Sequence, residues 1–99
     1  MHVVFGQWWT YVASVVAHDP DELGVYELGD DAKNTVYYGS GKIKTGLLDH
    51  LNKKECPMAR YYRLELFKTE EECKAREQQL LDDYKRRNGK LPIYNERTG

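Results

Sequence analysis

Net charge is nearly absent from this 99-residue chain: fifteen Lys and Arg against sixteen Asp and Glu leave −1 at pH 7. That balance argues against strong, indiscriminate binding to nucleic acid. Long apolar runs are missing too, and none approaches the roughly 20 residues that a membrane-spanning helix needs. The N-terminus has neither the basic region nor the cleavage site of a signal peptide, so the expectation is a cytoplasmic protein that stays out of membranes. Cysteine is scarce. Cys56 and Cys73 lack metal-ligand spacing and a secreted context, which favours two reduced thiols. No internal repeat or low-complexity segment occurs, and the length leaves room for one domain, residues 1–99, with a small core. A hydrophobic fraction of 40% is nevertheless too high for a disordered chain.

The charges that are present are unevenly placed. Met1 to Asp31 carries six acids (Asp19, Asp21, Glu22, Glu27, Asp30, Asp31) and no Lys or Arg. Ala32 to Lys68 carries eight bases (Lys33, Lys42, Lys44, Lys53, Lys54, Arg60, Arg63, Lys68) against three acids (Asp49, Glu55, Glu65), a local excess of five. Screening over about 10 Å lets such a patch attract phosphate on a globally neutral protein. A solvated charged surface is the plainer alternative.

Residues 1–23 read as an N-terminal extension holding a strand and a helix. Met1 to Phe5 is β-prone, and Trp8, Tyr11, Val12, Val15 and Val16 recur at helical spacing. That spacing predicts an amphipathic helix over Gln7–Ala17, ended by His18, Asp19 and Pro20. Trp8 and Trp9 could stack on nucleic-acid bases, although an aromatic stripe beside valines is more often core. The core, 24–95, opens with Gly24–Leu28 and Thr35–Tyr38 flanking a turn-rich segment, which predicts a β-hairpin. A glycine loop, Gly39–Gly41, then leads to a helix over about Thr45–Lys54. Leu47, Leu48 and Leu51 share one side of it, and Gly46, His50 and Lys53 the opposite, polar side, which points His50 away from the core. Arg60–Phe67 reads as a third strand.

Thr69 followed by three glutamates is a helix start, and the helix is predicted to run to about Arg87 before Asn88 and Gly89 stop it. Its apolar stripe is Cys73, Leu80, Leu81 and Tyr84, with Glu77 in the middle. A carboxylate buried there needs a cation, a hydrogen-bonded network or a metal, so a structural salt bridge and a functional carboxylate stand as equal alternatives. In the tail, the extended LPIYN is expected to pack back on the sheet, with Asn95 its most specific polar residue.

Taken in order, Gly24–Val25–Tyr26, Tyr37–Tyr38–Gly39, a basic helix bearing His50, Glu77 on a later helix and Tyr94–Asn95 near the end resemble the GIY-YIG nuclease superfamily, found in the excision-repair subunit UvrC, homing endonucleases and some restriction enzymes. The resemblance implies a small α+β domain, a central three-stranded antiparallel sheet flanked by helices. It also implies an endonuclease that cleaves nucleic acid, DNA rather than RNA, with one Mg²⁺ or Mn²⁺ ion, in repair or restriction. By position Tyr37 would be the general base or the activator of water, Tyr26 its hydrogen-bonding neighbour, His50 an assisting group, Glu77 the metal ligand and Asn95 a site-closing, phosphate-side residue. A phenol becomes a proton acceptor only where nearby cations favour its phenolate.

The sequence departs from the family at one point. Gly46 stands where a helix arginine is expected, and no arginine occurs between Ala32 and Arg60. Lys42 and Lys44 are the nearest phosphate-binding substitutes, with Lys44 the expected catalytic charge and Lys53 reaching from the next turn. Lysine does not reproduce the bidentate arginine clamp. A non-catalytic nucleic-acid-binding module and a protein-interaction domain on the same fold are the alternative readings. With no second domain for target recognition in these residues, the expectation is weak specificity, a homodimer, or a recognition surface borrowed from a partner protein.

Overall fold

Valine, leucine and tyrosine recur in the stretches that pair into a sheet, and the most highly charged stretch, Glu70–Asn88, coils into a capped helix. The computed structural model describes residues 6–96. In it the chain runs β1 (Trp9–Thr10), α1 (Ala13–Val16), β2 (Leu23–Gly29), β3 (Thr35–Lys42), α2 (Ile43–Lys53), β4 (Tyr61–Leu66) and α3 (Glu70–Asn88). The result is a small α+β fold around an antiparallel sheet ordered β1-β4-β2-β3.

That sheet has four strands, not the three expected. Trp9 and Thr10 pair with Tyr62 and Tyr61, and Tyr11 N–H donates to the Arg60 carbonyl at 2.9 Å. The predicted Gln7–Ala17 helix is therefore cut down to Ala13–Val16. The outer edge of β4 offers backbone donors and acceptors that an aromatic, Thr-containing stretch satisfies better as a strand than as a helix. The β-prone run Met1–Phe5 lies outside the described residues. Trp8 packs beneath the Arg63 guanidinium, 4.3 Å from its ring centroid, whereas Trp9 remains about half exposed.

The hairpin forms as predicted and extends further. Asp30 Oδ1 accepts from the backbone N–H of Ala32 and Asn34, and Lys33 takes a left-handed φ of 65°, closing the turn. The glycine segment expected as a loop instead continues β3, because Gly39, Ser40 and Gly41 stay in register with Tyr26, Val25 and Gly24. The helix after it begins earlier than predicted, at Ile43.

Alternation along the central strand β2 gives the sheet two different faces. Tyr26 and Leu28 face α1 and α2, where Tyr11, Val16, Ile43, Leu47 and Tyr62 complete an apolar core. Val25 and Glu27 face α3. Two carboxylates are buried on that side, Glu27 at 2% and Glu65 at 0% exposure. Arg63 Nε lies 2.6 Å from Glu27 Oε1 and Arg76 Nε 2.7 Å from Glu65 Oε1, so each charge is answered by a guanidinium. The α3 helix is capped by a Thr69–Glu72 capping box and ends at Gly89, whose φ is +80°.

The tail returns to the outer edge of β3, as expected: Tyr94 N–H donates to the Val36 carbonyl at 3.0 Å. Cys56 and Cys73 are buried thiols. Among the described residues no helix is long and apolar enough to cross a membrane.

Candidate functional site

Tyr26 is the centre of the site, and its position is set by two glycines. Gly39 lies opposite it on β3, where an added Cβ would fall 2.5 Å from Tyr26 Cζ. On the other side, a Cβ on Gly46 of α2 would fall 3.0 Å from Tyr26 Oη. The ring is clamped between a strand and a helix that approach closely because neither carries a side chain there. This gives Gly46 a steric reason in the chain itself: a longer residue at that position would have to displace a buried phenol.

The close approach also corrects the expected orientation of His50. Its side chain is only 16% exposed and turns inward, one helical turn past Gly46. His50 Nε2 lies 2.8 Å from Tyr26 Oη, and Nδ1 lies 2.7 Å from Glu55 Oε1. Tyr37 completes the cluster with its ring 5.0 Å from His50 and 6.2 Å from Tyr26, centroid to centroid. Three of the expected site residues thus meet on the α2 side of the β2–β3 hairpin.

Glu77 reaches strand β3 from α3. Its carboxylate accepts from the Ser40 hydroxyl on the edge strand β3, and its charge adds to the effect of burial, which is what chiefly raises the phenols of Tyr37 and Tyr26. Alternation puts Ser40, the residue Glu77 bonds to, on the α3 face of the sheet and Tyr26, Tyr37 and His50 on the other. Asn95 sits at the same edge. Its side chain accepts from Tyr38 N–H at 2.9 Å and donates to the Tyr38 carbonyl at 3.0 Å, extending the sheet by one side-chain pair. Its amide is engaged with the strand backbone.

The lysines are more dispersed. Lys42 and Lys44 stand at the start of α2 near Asp21, whose carboxyl is held below its usual range mainly by hydrogen bonds from Thr45 and further by those two charges. Lys53 pairs with Asp49 at 3.1 Å on the exposed face of α2. None of the three is held against the tyrosines by any of these contacts.

The phenols themselves are kept protonated. Burial, reinforced by Glu77, pushes Tyr37 up to about 12, and burial with Glu27 nearby pushes Tyr38 to about 12. Tyr26 is raised further, again by burial first. The folded-state values exceed the ordinary phenol value of about 10, so the contribution to stability is intact below that pH and is lost as pH rises through the folded values. We expect near-ultraviolet tyrosinate absorbance to lag free tyrosine above about pH 10 and then to rise together with loss of the folded circular-dichroism signal.

Residues 4–87 match a family model described as a domain of unknown function, DUF7508. The chain belongs to the DUF7508 family. Curated proteins give no match. In this DUF7508 member, no group of three or more His, Cys, Asp or Glu able to hold a metal occurs among the described residues. Glu77 offers a single carboxylate with the Ser40 hydroxyl beside it.

One residue of the DUF7508 site escapes sequence reading. Glu55 follows His50 by five positions, a spacing that does not place two side chains together on a helix. It returns only because α2 ends in a left-handed residue, Lys54 at φ 53° and ψ 40°.

Proposed function

We propose that this DUF7508 domain is a GIY-YIG-like nuclease that binds nucleic acid, DNA in preference to RNA, and cleaves its phosphodiester backbone with a divalent cation. The observation that carries the reading is the meeting of Tyr26, Tyr37 and His50 in one cluster, with Glu77 bonded to Ser40 on the strand that also bears Tyr37. Glu77, through its carboxylate, would hold a hydrated Mg²⁺ or Mn²⁺ ion, which when bound supplies charge stabilisation to the leaving oxygen.

The residues of the chain divide the remaining work. Tyr37, a phenol at neutral pH, orients an attacking water through its hydroxyl instead of acting as a ready phenolate base. His50 offers an imidazole, a group able both to take and to give a proton. Tyr26 holds the imidazole in place. Lys42 and Lys44, at the start of α2, attract the phosphate backbone in place of the arginine that Gly46 excludes, with Lys53 further along the same helix.

The experiment is nicking of supercoiled plasmid with Mg²⁺ or Mn²⁺. Glu77→Ala and Tyr37→Phe are each expected to lower the rate about 10²-fold. Rates equal to wild type in both variants would sink the proposal, since the cleavage would then come from a contaminant. A second reading, a non-catalytic nucleic-acid-binding module, is favoured by the raised phenols and by Gly46. It predicts binding that weakens steeply with salt, is insensitive to chelation and proceeds without nicking.

A further inference from the structure

We propose that Glu55 is a positioning residue that fixes the tautomer and orientation of His50, making Tyr26–His50–Glu55 a single hydroxyl–imidazole–carboxylate chain.

The chain is continuous in space. Glu55 Oε1 lies 2.7 Å from His50 Nδ1, and His50 Nε2 lies 2.8 Å from Tyr26 Oη. A carboxylate can only accept, so Nδ1 carries the hydrogen that it donates to Glu55. In the neutral ring Nε2 then presents a lone pair, and the Tyr26 hydroxyl donates to it. Burial agrees with that polarity, because it keeps Tyr26 in its protonated form. With its hydrogen committed to His50, the Tyr26 oxygen faces the rest of the cluster as an acceptor.

The backbone is built to deliver this acid. Lys54 adopts the left-handed conformation that non-glycine residues seldom take, its N–H donating to the Leu51 carbonyl at 3.2 Å. Glu55 N–H donates to the carbonyl of His50 at 3.2 Å, so the chain doubles back at the residue that Glu55 orients. Among the described residues Lys33 and Lys54 are the two non-glycine positions with positive φ, and Lys33 is accounted for by the hairpin turn. Tyr37, edge-on to the ring at 5.0 Å between centroids, and Gly46 confine the imidazole from other sides.

The catalytic consequence rests on the phosphodiester-cleaving reading, whereas the tautomer does not. Long-range ¹H–¹⁵N correlation spectra of the uniformly labelled full chain, recorded at mildly alkaline pH, read the tautomer directly, with His50→Asn used to assign the signal. The expected wild-type ring carries hydrogen on Nδ1 only. Glu55→Ala should lose that signature and show exchange between tautomers while the amide spectrum keeps its folded dispersion. Glu55→Gln, whose amide oxygen still accepts, should retain it. A wild-type ring with hydrogen on Nε2, or on both nitrogens, or a tautomer unchanged in Glu55→Ala, would overturn the assignment.

In the nicking assay Glu55→Ala should lower kcat about tenfold with KM changed less than about twofold, and Glu55→Gln should restore most of the rate. If wild type shows the Nδ1 signature but no cleavage, Glu55 keeps its positioning role and the nuclease reading falls by itself.

Discussion

Gly24→Ala is expected to cost about 3 kcal/mol or more, enough to lower the melting temperature by about 12 °C or to prevent recovery of folded protein. The added Cβ would fall 2.2 Å from the Glu65 carbonyl oxygen, an atom of the neighbouring strand's backbone. Gly24 pairs with Leu66 on one side and with Gly41 on the other, so β2 cannot withdraw from one neighbour without pressing on the next. Gly39→Ala is expected to be nearly as damaging, for a different reason. There the obstacle is the Tyr26 ring, 2.5 Å away, and the ring has no room to swing because Gly46 closes its other side. Thermal melts of the two variants against wild type check both statements, and a melting temperature within about 2 °C of wild type for Gly24→Ala would contradict the close strand spacing.

Arg76→Ala should be the most damaging removal of a charged side chain, at about 3 kcal/mol. Glu65 is fully buried, and its two oxygens lie 2.7 and 3.4 Å from Arg76 nitrogens. Taking away the guanidinium removes the charge that compensates the carboxylate without restoring its water. The sign of a double replacement separates this effect from lost packing. Glu65→Leu with Arg76→Met removes both charges and keeps volume, and is expected to lie within about 1 kcal/mol of wild type. Urea unfolding of the three proteins measures the difference. Equal stability of Arg76→Ala and wild type would show that the pair contributes nothing. Arg63 and Glu27 form a second pair of the same kind, which makes the α3 side of the sheet ionic where the α2 side is apolar.

These two faces bear on how much of the site could be read in advance. Glu77 stood out because it interrupts an apolar stripe, and of the partners expected for it the structure shows a hydrogen bond, from the Ser40 hydroxyl. Burial strong enough to require an arginine occurs elsewhere, at Glu27 and Glu65, where strand alternation carried no warning. His50 was placed on the outer side of α2 by periodicity alone. Gly46 permits the reverse, because with no side chain there α2 packs closely on Tyr26 and brings His50 within 2.8 Å of its hydroxyl. Lys42, Lys44 and Lys53 were read as one patch, but acids that are remote or nearby in sequence, Asp21 and Asp49, share their field.

Local chemistry settled what depends on near neighbours in the chain: the Asp30 hairpin turn, the strand-forming run at Tyr61–Leu66 and the capped α3 helix. Period and turn residues encode these directly, since their energies come from groups a few positions apart. Three features were decided only by folding. Trp9 and Thr10 became a fourth strand because β4 had an edge to satisfy, His50 turned inward because two glycines let α2 close on Tyr26, and Glu55 reached the imidazole because one residue took a left-handed turn. Each depends on a contact between elements, where the free energy of a neighbouring surface outweighs local preference.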